Sequence, residues 1–392
     1  MSRQSREGFL CILLCGVLVL SAPAMAGIVL FTAGSDQISS VGVLNIAQDP
    51  QGNLYFGTDN GLSFYDGIWH ITHMTYGSPG TGLLSDHILA LAFDSHRNLW
   101  IGYPNGLQRL EGGSFVTIQD QQMLKSLDIH ALLRRDNEMW VAAGNAGIHR
   151  YLDGTWRWFQ PGGPEGLGCN YVTAMATDPS DDTLYIGCRE GIWFTGGAGG
   201  SVDFSPLVIP GFEPDSLRGI RGDPFGGVYI FNASAVLHYS QGAGVSMVVA
   251  PGDLMGIDIT DLGIDPDGTL WISTNYGIYA WEGGVKDHLD AASGIRNNGV
   301  KKIFIDSSDR LWFVTPQNVG FFNITRKADT SGSVIPITLY PRLTTPESTP
   351  APQNTPALSF SEIQVPTAPA ESGPFADLLG SILRFLGQLL PR

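Results

Sequence analysis

Asp265-Pro266-Asp267-Gly268-Thr269-Leu270-Trp271-Ile272-Ser273-Thr274 is a turn followed at once by a strand. Aspartate accepts backbone N–H groups, proline presets φ, and glycine tolerates positive φ, so the first four residues are turn chemistry. The same grammar returns at Ala47 to Leu62, Asp94 to Leu107, Asp136 to Ile148, Asp178 to Ile192, Asp223 to Val236 and Asp306 to Val319. An aromatic residue marks each copy: Tyr55, Trp100, Trp140, Tyr185, Tyr229, Trp271 and Trp312. Their spacing of 40 to 45 residues is that of a four-stranded propeller blade. Seven copies predict a seven-bladed, all-β propeller of antiparallel blades.

Each copy divides into four strands. An apolar strand A, such as His87 to Phe93, ends at the aspartate. Strand B carries the aromatic (Leu99-Trp100-Ile101-Gly102), strand C follows a tight turn (Gly106 to Leu110), and strand D lies outermost (Ser114 to Ile118). One blade cannot bury both faces of its own sheet; neighbours must do it, and ring closure removes the ends. The seventh copy stops after strand C, Val319 to Ile324, where charge and proline take over. Ile28-Val29-Leu30-Phe31-Thr32 is an apolar strand with no copy of its own. It is expected to supply the missing strand D and latch the ring, since exposed sheet edges are a liability.

The flanks set the remaining expectations. Arg3 and Arg6 precede an apolar run from Phe9 to Leu20, and Ala22-Pro23-Ala24-Met25-Ala26 offers small residues for cleavage. Residues 1–26 therefore read as a secretory signal, and the chain as exported, either periplasmic or extracellular. Residues 27–325 form the propeller. Residues 326–374, rich in Pro, Thr, Ser and Ala, read as a disordered linker. Within residues 375–392, Phe375, Leu378, Leu379, Ile382, Leu383, Phe385, Leu386, Leu389 and Leu390 fall on one half of a helix. That amphipathic segment, Phe375 to Leu390, reaches only about 24 Å, short of a roughly 30 Å bilayer core. It suits peripheral membrane docking or a protein partner, with folding back on the propeller as the plainer alternative.

The repeat Asp-x-x-Gly-Asn-Leu-Trp-Ile-Gly-Thr-x-x-Gly-Leu, best carried by Asp265 to Thr274 and Asn98 to Gly102, resembles that of the two-component regulator propeller. That family serves as an extracytoplasmic sensor module of hybrid histidine kinases. The resemblance implies ligand sensing or protein docking, with a histidine kinase as a partner. No kinase, second propeller or membrane span after the propeller is read in the sequence. The family's repeat residues are structural, so no site carries over.

Chemical motifs are sparse. A formal charge of −15 disfavours nucleic acid. His70 and His73 stand three apart on an expected strand and cannot easily share a metal. No phosphate loop, zinc motif or nucleophile elbow occurs, so neither cofactor nor metal nor catalytic residue is expected. Asp49, Asp94, Asp136, Asp178, Asp223, Asp265 and Asp306, one per blade, are expected to cap turns. Cys169 and Cys188 are placed at the start of strand A and the end of strand B in blade four. Antiparallel pairing would bring them within reach of a disulfide, against the alternative of two free thiols.

The rim shared by A-strand starts and B–C turns is the expected ligand face. Arg218, Arg221, Lys301 and Lys302 stand out there in an acidic chain. The candidate ligand-binding residues are His87, His130, Tyr171, Arg218, Arg221, Asp261 and Lys301. A small anionic molecule or glycan is the candidate ligand and an envelope protein the alternative partner. Pairing of these charges with Asp258 and Asp261 is the structural alternative. A propeller lyase of the virginiamycin B type is the rival function; it would need His and Glu residues converging near the axis.

Overall fold

Seven four-stranded antiparallel sheets are arranged around one axis in a computed structural model. It describes residues 27–325 apart from 35–36, 74–81, 120–123, 125–127, 198–200, 214–215 and 255–256. The signal expected at 1–26, the linker at 326–374 and the helix at 375–392 lie outside the described residues. From the axis outward each of blades 1 to 6 runs A-B-C-D in chain order. The A strands are Val43–Gln48, Ala90–Phe93, Ile129–Arg135, Val172–Thr177, Gly219–Gly222, Ile259–Ile264 and Lys302–Ile305.

Blade 7 is closed from both sides of the chain. Its A, B and C strands are Lys302–Ile305, Arg310–Val314 and Val319–Asn323, and its D strand is Val29–Phe31. Val29 pairs with Phe321, Leu30 with Gly320 and Phe31 with Val319. Phe31 then packs among Tyr65, Trp69, Trp312 and Phe321, with ring centroids 5.1–6.2 Å apart. The expected latch thus carries its own anchor into the blade 7–blade 1 seam.

The core is divided into seven clusters, each straddling a seam between neighbouring blades. Trp140, Ala142 and Ile148 of blade 3 pack with Val172, Leu184 and Ile186 of blade 4. Trp312 and Val314 of blade 7 pack with Val43, Ile46 and Phe56 of blade 1. Each repeat aromatic is therefore shared property of two blades, the arrangement that stacked repeats require. The glycine ending strand B answers to the same seam. A Cβ on Gly102 would stand 2.4 Å from the Ile129 carbonyl oxygen of the next blade, and one on Gly57 would stand 2.6 Å from the Ile88 side chain.

The turn aspartates cap as expected in six blades. Asp49, Asp94, Asp178, Asp223, Asp265 and Asp306 each accept the backbone N–H two residues on, at 2.8–3.0 Å. Blade 3 departs from this. Its aspartate stands two residues closer to the aromatic than in blades 2, 6 and 7, in a hairpin one residue shorter, and Asp136 takes positive φ (50°) rather than capping. Glu138 replaces it, accepting from Arg135 Nε at 2.7 Å, Trp140 Nε1 at 2.9 Å and Arg150 Nη1 at 3.0 Å.

Two expected boundaries shift. Strand A of blade 2 begins at Ala90 and not at His87, which stays exposed on the rim. Cys169 precedes strand A of blade 4 by three residues, in the connection from blade 3, while Cys188 does end strand B. The two form a disulfide with Cα atoms 5.7 Å apart, and both are buried.

Candidate functional site: the axial channel

The seven A strands leave a cavity of about 540 Å³ along the axis. What faces it follows from a bulge near the start of the A strands. Register shifts at Leu44, His130, Thr173 and Thr260 insert one extra residue before the regular ladder. Leu89, Arg218 and Lys301 hold the equivalent place, their N–H groups donating to Gly102, Phe231 and Val314. A bulge re-aims its side chain, and here three of them point sideways into the next blade. His130 Nε2 lies 2.5 Å from the Val172 carbonyl, Arg218 Nη1 donates to the Ile259 carbonyl at 2.7 Å, and Thr260 Oγ1 donates to the Val300 carbonyl at 2.6 Å. The three acceptors are equivalent residues, each preceding the bulge of its own blade. His130 and Arg218 therefore staple blades together.

His130 also stacks on Tyr171, with ring centroids 4.2 Å apart and planes 7° from parallel. The Tyr171 hydroxyl donates to Asp128 Oδ2 at 3.0 Å. Burial, and then the Asp128 carboxylate, hold that phenol above its ordinary pKa. Arg218 pairs further with Asp258 at 3.6 Å. His87 and Lys301 are exposed and outside the cavity. The structure thus divides the candidate residues: His87, Tyr171 and Lys301 belong to the rim, His130 and Arg218 line the cavity while bonding to the next blade, and Arg221 and Asp261 meet inside the channel.

One residue beyond the bulge lies a single ring of equivalent positions: Asn45, Ala90, Ala131, Ala174, Gly219, Asp261 and Lys302. Their strand-B partners are Gly57, Gly102, Ala142, Gly187, Phe231, Ser273 and Val314. The ring is one-sided. Blades 2 to 5 contribute only alanine and glycine, whereas the contiguous blades 6, 7 and 1 contribute Asp261, Lys302 and Asn45. Arg221, two residues further along strand A of blade 5, hydrogen-bonds through Nη2 to Asp261 Oδ1.

Asp261 is buried and well supplied. Its Oδ1 also accepts the Leu262 N–H at 2.9 Å, and its Oδ2 faces the Ile303 N–H at 3.4 Å and Lys302 Nζ at 3.8 Å. Two cations thus share one carboxylate. Burial pushes the Lys302 ammonium below the usual lysine range; Asp261 opposes that shift and Arg221 adds to it. Lys302, the channel cation, is one of the four cations that stand out in the sequence, but the candidate set names Lys301 in its place. A side-chain period of two makes the neighbour the one that counts, but only the bulge fixes the phase.

Histidines are scattered over the described residues. His70 pairs with Asp66 at 3.3 Å, His73 with Asp86 at 3.6 Å, and His238 with Asp223 at 3.0 Å. No group of three His, Cys, Asp or Glu residues arranged for a metal occurs among the described residues, and no helix among them is long and apolar enough to cross a membrane.

Known proteins place this architecture. The family model described as two component regulator propeller matches residues 37–60, about half of one repeat. Among solved structures, the chain is similar to the extracellular domain of the hybrid two component system BT4673 from B. thetaiotaomicron. Identity is 18% and the TM-score 0.62, over 77% of this chain and 40% of that one. The extracellular domain of BT3049 from the same organism matches at 21% identity and TM-score 0.57, over 71% of this chain and 39% of that one. The chain therefore spans about two-fifths of the length of these extracellular domains. It is also similar to a catalytically inactive histidine-to-alanine variant of virginiamycin B lyase from Staphylococcus aureus, solved with quinupristin. There identity is 13% and the TM-score 0.57, over 76% of this chain and 99% of that one. No curated protein matches the sequence. The fold is that of a seven-bladed propeller, resembling that within the extracellular domains of these two component systems.

Proposed function

We propose that this chain is an exported, non-catalytic binding propeller of the sensor type, with its recognition surface at the upper rim and the mouth of the axial channel. The observation that carries the reading is the charged cluster of Arg221, Asp261 and Lys302 inside an open axial cavity. A purely structural channel gains nothing from desolvating two cations; a recognition site does. Export is supported by the apolar leader expected at residues 1–26 and by the Cys169–Cys188 disulfide, a bond typical of oxidising compartments. A histidine kinase is the partner implied by the likeness to two-component sensors. Phe375 to Leu390 would tether the module to a membrane or an envelope protein.

The lyases offer a second reading, since the likeness spans nearly the whole of their chains. Against it, His130 is committed to the Val172 carbonyl and His87 stands on the exposed rim. Calorimetric titration and thermal shift of the full chain against neutral sugars, sugar acids, organic acids and streptogramin-type cyclic depsipeptides test the choice. Saturable binding without turnover is the expected result. Turnover of a depsipeptide would replace this reading with the enzymatic one, and a folded chain inert to every compound would remove small-molecule recognition.

A further inference from the structure

The polar arc and the small-residue arc of the channel ring face one another across the axis. Lys302 keeps 26% of its side chain accessible, and its charged partner among the described residues, Asp261, is 3.8 Å away and already engaged by Arg221. Asn45, next in the ring, lines the same cavity and makes no side-chain hydrogen bond among the described residues. Arg218, Arg221 and Lys302 line the cavity, and Asp261 is the one acid among the described residues that does; with Arg218 paired to Asp258 outside it, one positive charge is left in excess, in a chain whose net charge is −15. Opposite, Ala131, Ala174 and Gly219 leave the cavity wide where bulkier residues would close it. Its volume falls in the range of small-molecule sites.

We propose that this level of the channel seats one hydroxylated monocarboxylate of sugar size, its carboxylate on Lys302 and Arg221, its nearest hydroxyl on Asn45 and its body in the hollow formed by Ala131, Ala174 and Gly219. This deepens the binding reading above and rests on it. Asp261 acts as a positioning residue: it holds Arg221 and Lys302 side by side while neutralising only one of them. The anion completes a charge balance that the protein leaves unfinished, and a hydroxylated body suits a channel whose walls present backbone as well as side-chain polar groups. A charge-assisted hydrogen bond in so confined a place is among the stronger single contacts available.

The test is calorimetric titration of the full chain with D-glucuronate, D-galacturonate and D-gluconate, with D-glucose and inorganic phosphate as controls. At least one sugar acid binds, and glucose binds about tenfold more weakly or not at all. Lys302→Met weakens that sugar acid by about tenfold or more, while Lys302→Arg retains most of the affinity. Ala131→Leu, which fills the hollow without touching a charge, abolishes binding with the melting temperature preserved. Sugar-acid binding that ignores Lys302→Met, phosphate binding of equal strength, or inert sugar acids in a folded chain would each overturn the proposal. If the sugar acids are inert but another compound of the wider panel binds, the channel assignment falls and the binding reading stands.

Discussion

The indole of Trp312 donates to Asp306 Oδ2 at 2.8 Å, joining the aromatic of a blade's second strand to the turn that precedes it. Trp100 and Trp271 make the same bond to Asp94 and Asp265, both at 2.9 Å. The repeat therefore conceals a coupling: the carboxylate that caps the turn also satisfies a buried indole N–H. For Asp94, burial alone would raise the carboxyl pKa, but the Trp100 indole and the Asn98 backbone and amide hold it below the usual range.

Asp306→Ala is accordingly expected to cost more than a turn cap. It strands the N–H groups of Ser308, Arg310 and Trp312 together with the Arg310 guanidinium. The loss should be about 3–5 kcal/mol, the range for removing one partner of a buried charged network, read as a lower urea midpoint with an unchanged slope. A loss below about 1 kcal/mol would show that the coupling is incidental.

Phe31→Ala removes the anchor of the latch. Because Phe31 is only part-buried, the cost should be about 2–3 kcal/mol, just below the range for a fully buried phenylalanine. Hydrogen exchange should show faster opening of Val319–Asn323 than of the B strands elsewhere. Equal protection in both places would argue that the ring holds without its latch.

Reduction of Cys169–Cys188 opens a covalent loop with a sequence separation of 19. Loop-closure entropy assigns such a bond about 3 kcal/mol. Denaturation with and without reductant measures it, and the Cys169→Ala/Cys188→Ala variant should match the reduced protein and lose its response to reductant.

His149 is buried between the Trp156 and Trp158 rings, and burial holds its imidazole down to about 4. The neutral form is the one that the fold accepts. Its contribution is therefore complete above the unfolded pKa of about 6.5, declines as pH falls from there toward 4, and levels off below. The decline should amount to about 3 kcal/mol. The difference in unfolding free energy between the natural chain and His149→Gln should narrow across that window; a constant difference would sink this assignment.

Much of the architecture could be read from residue order. The Asp-x-x-Gly turn and the following aromatic recur because every blade meets the same two neighbours, and the unassigned strand near Ile28 matched the strand missing after Ile324. The site was less legible for a definite reason. Lys301 and Lys302 are adjacent, and which of them enters the channel depends on a bulge that turns on backbone pairing rather than residue type. His130 and Arg218 carry the residue types of a ligand site, yet the same bulge sends them to the carbonyls of Val172 and Ile259. Only the polar–small asymmetry of the ring containing Asn45, Ala174 and Lys302 was in principle visible beforehand, once seven strands are aligned on their partners in strand B. Asp136 misled because a hairpin one residue shorter left the Trp140 indole to Glu138.

Three residue pairs fasten Val29–Phe31 to the far end of the propeller chain. A growing or translocating polypeptide must hold both halves of that clasp before the circle can shut. Until Arg310 to Asn323 has arrived, Val29–Phe31 has no mate, and the Phe31 ring has neither Trp312 nor Phe321 to rest on. Closure of the ring is thereby tied to completion of the propeller chain: a product that stops before Val319 lacks the partner strand of Val29–Phe31.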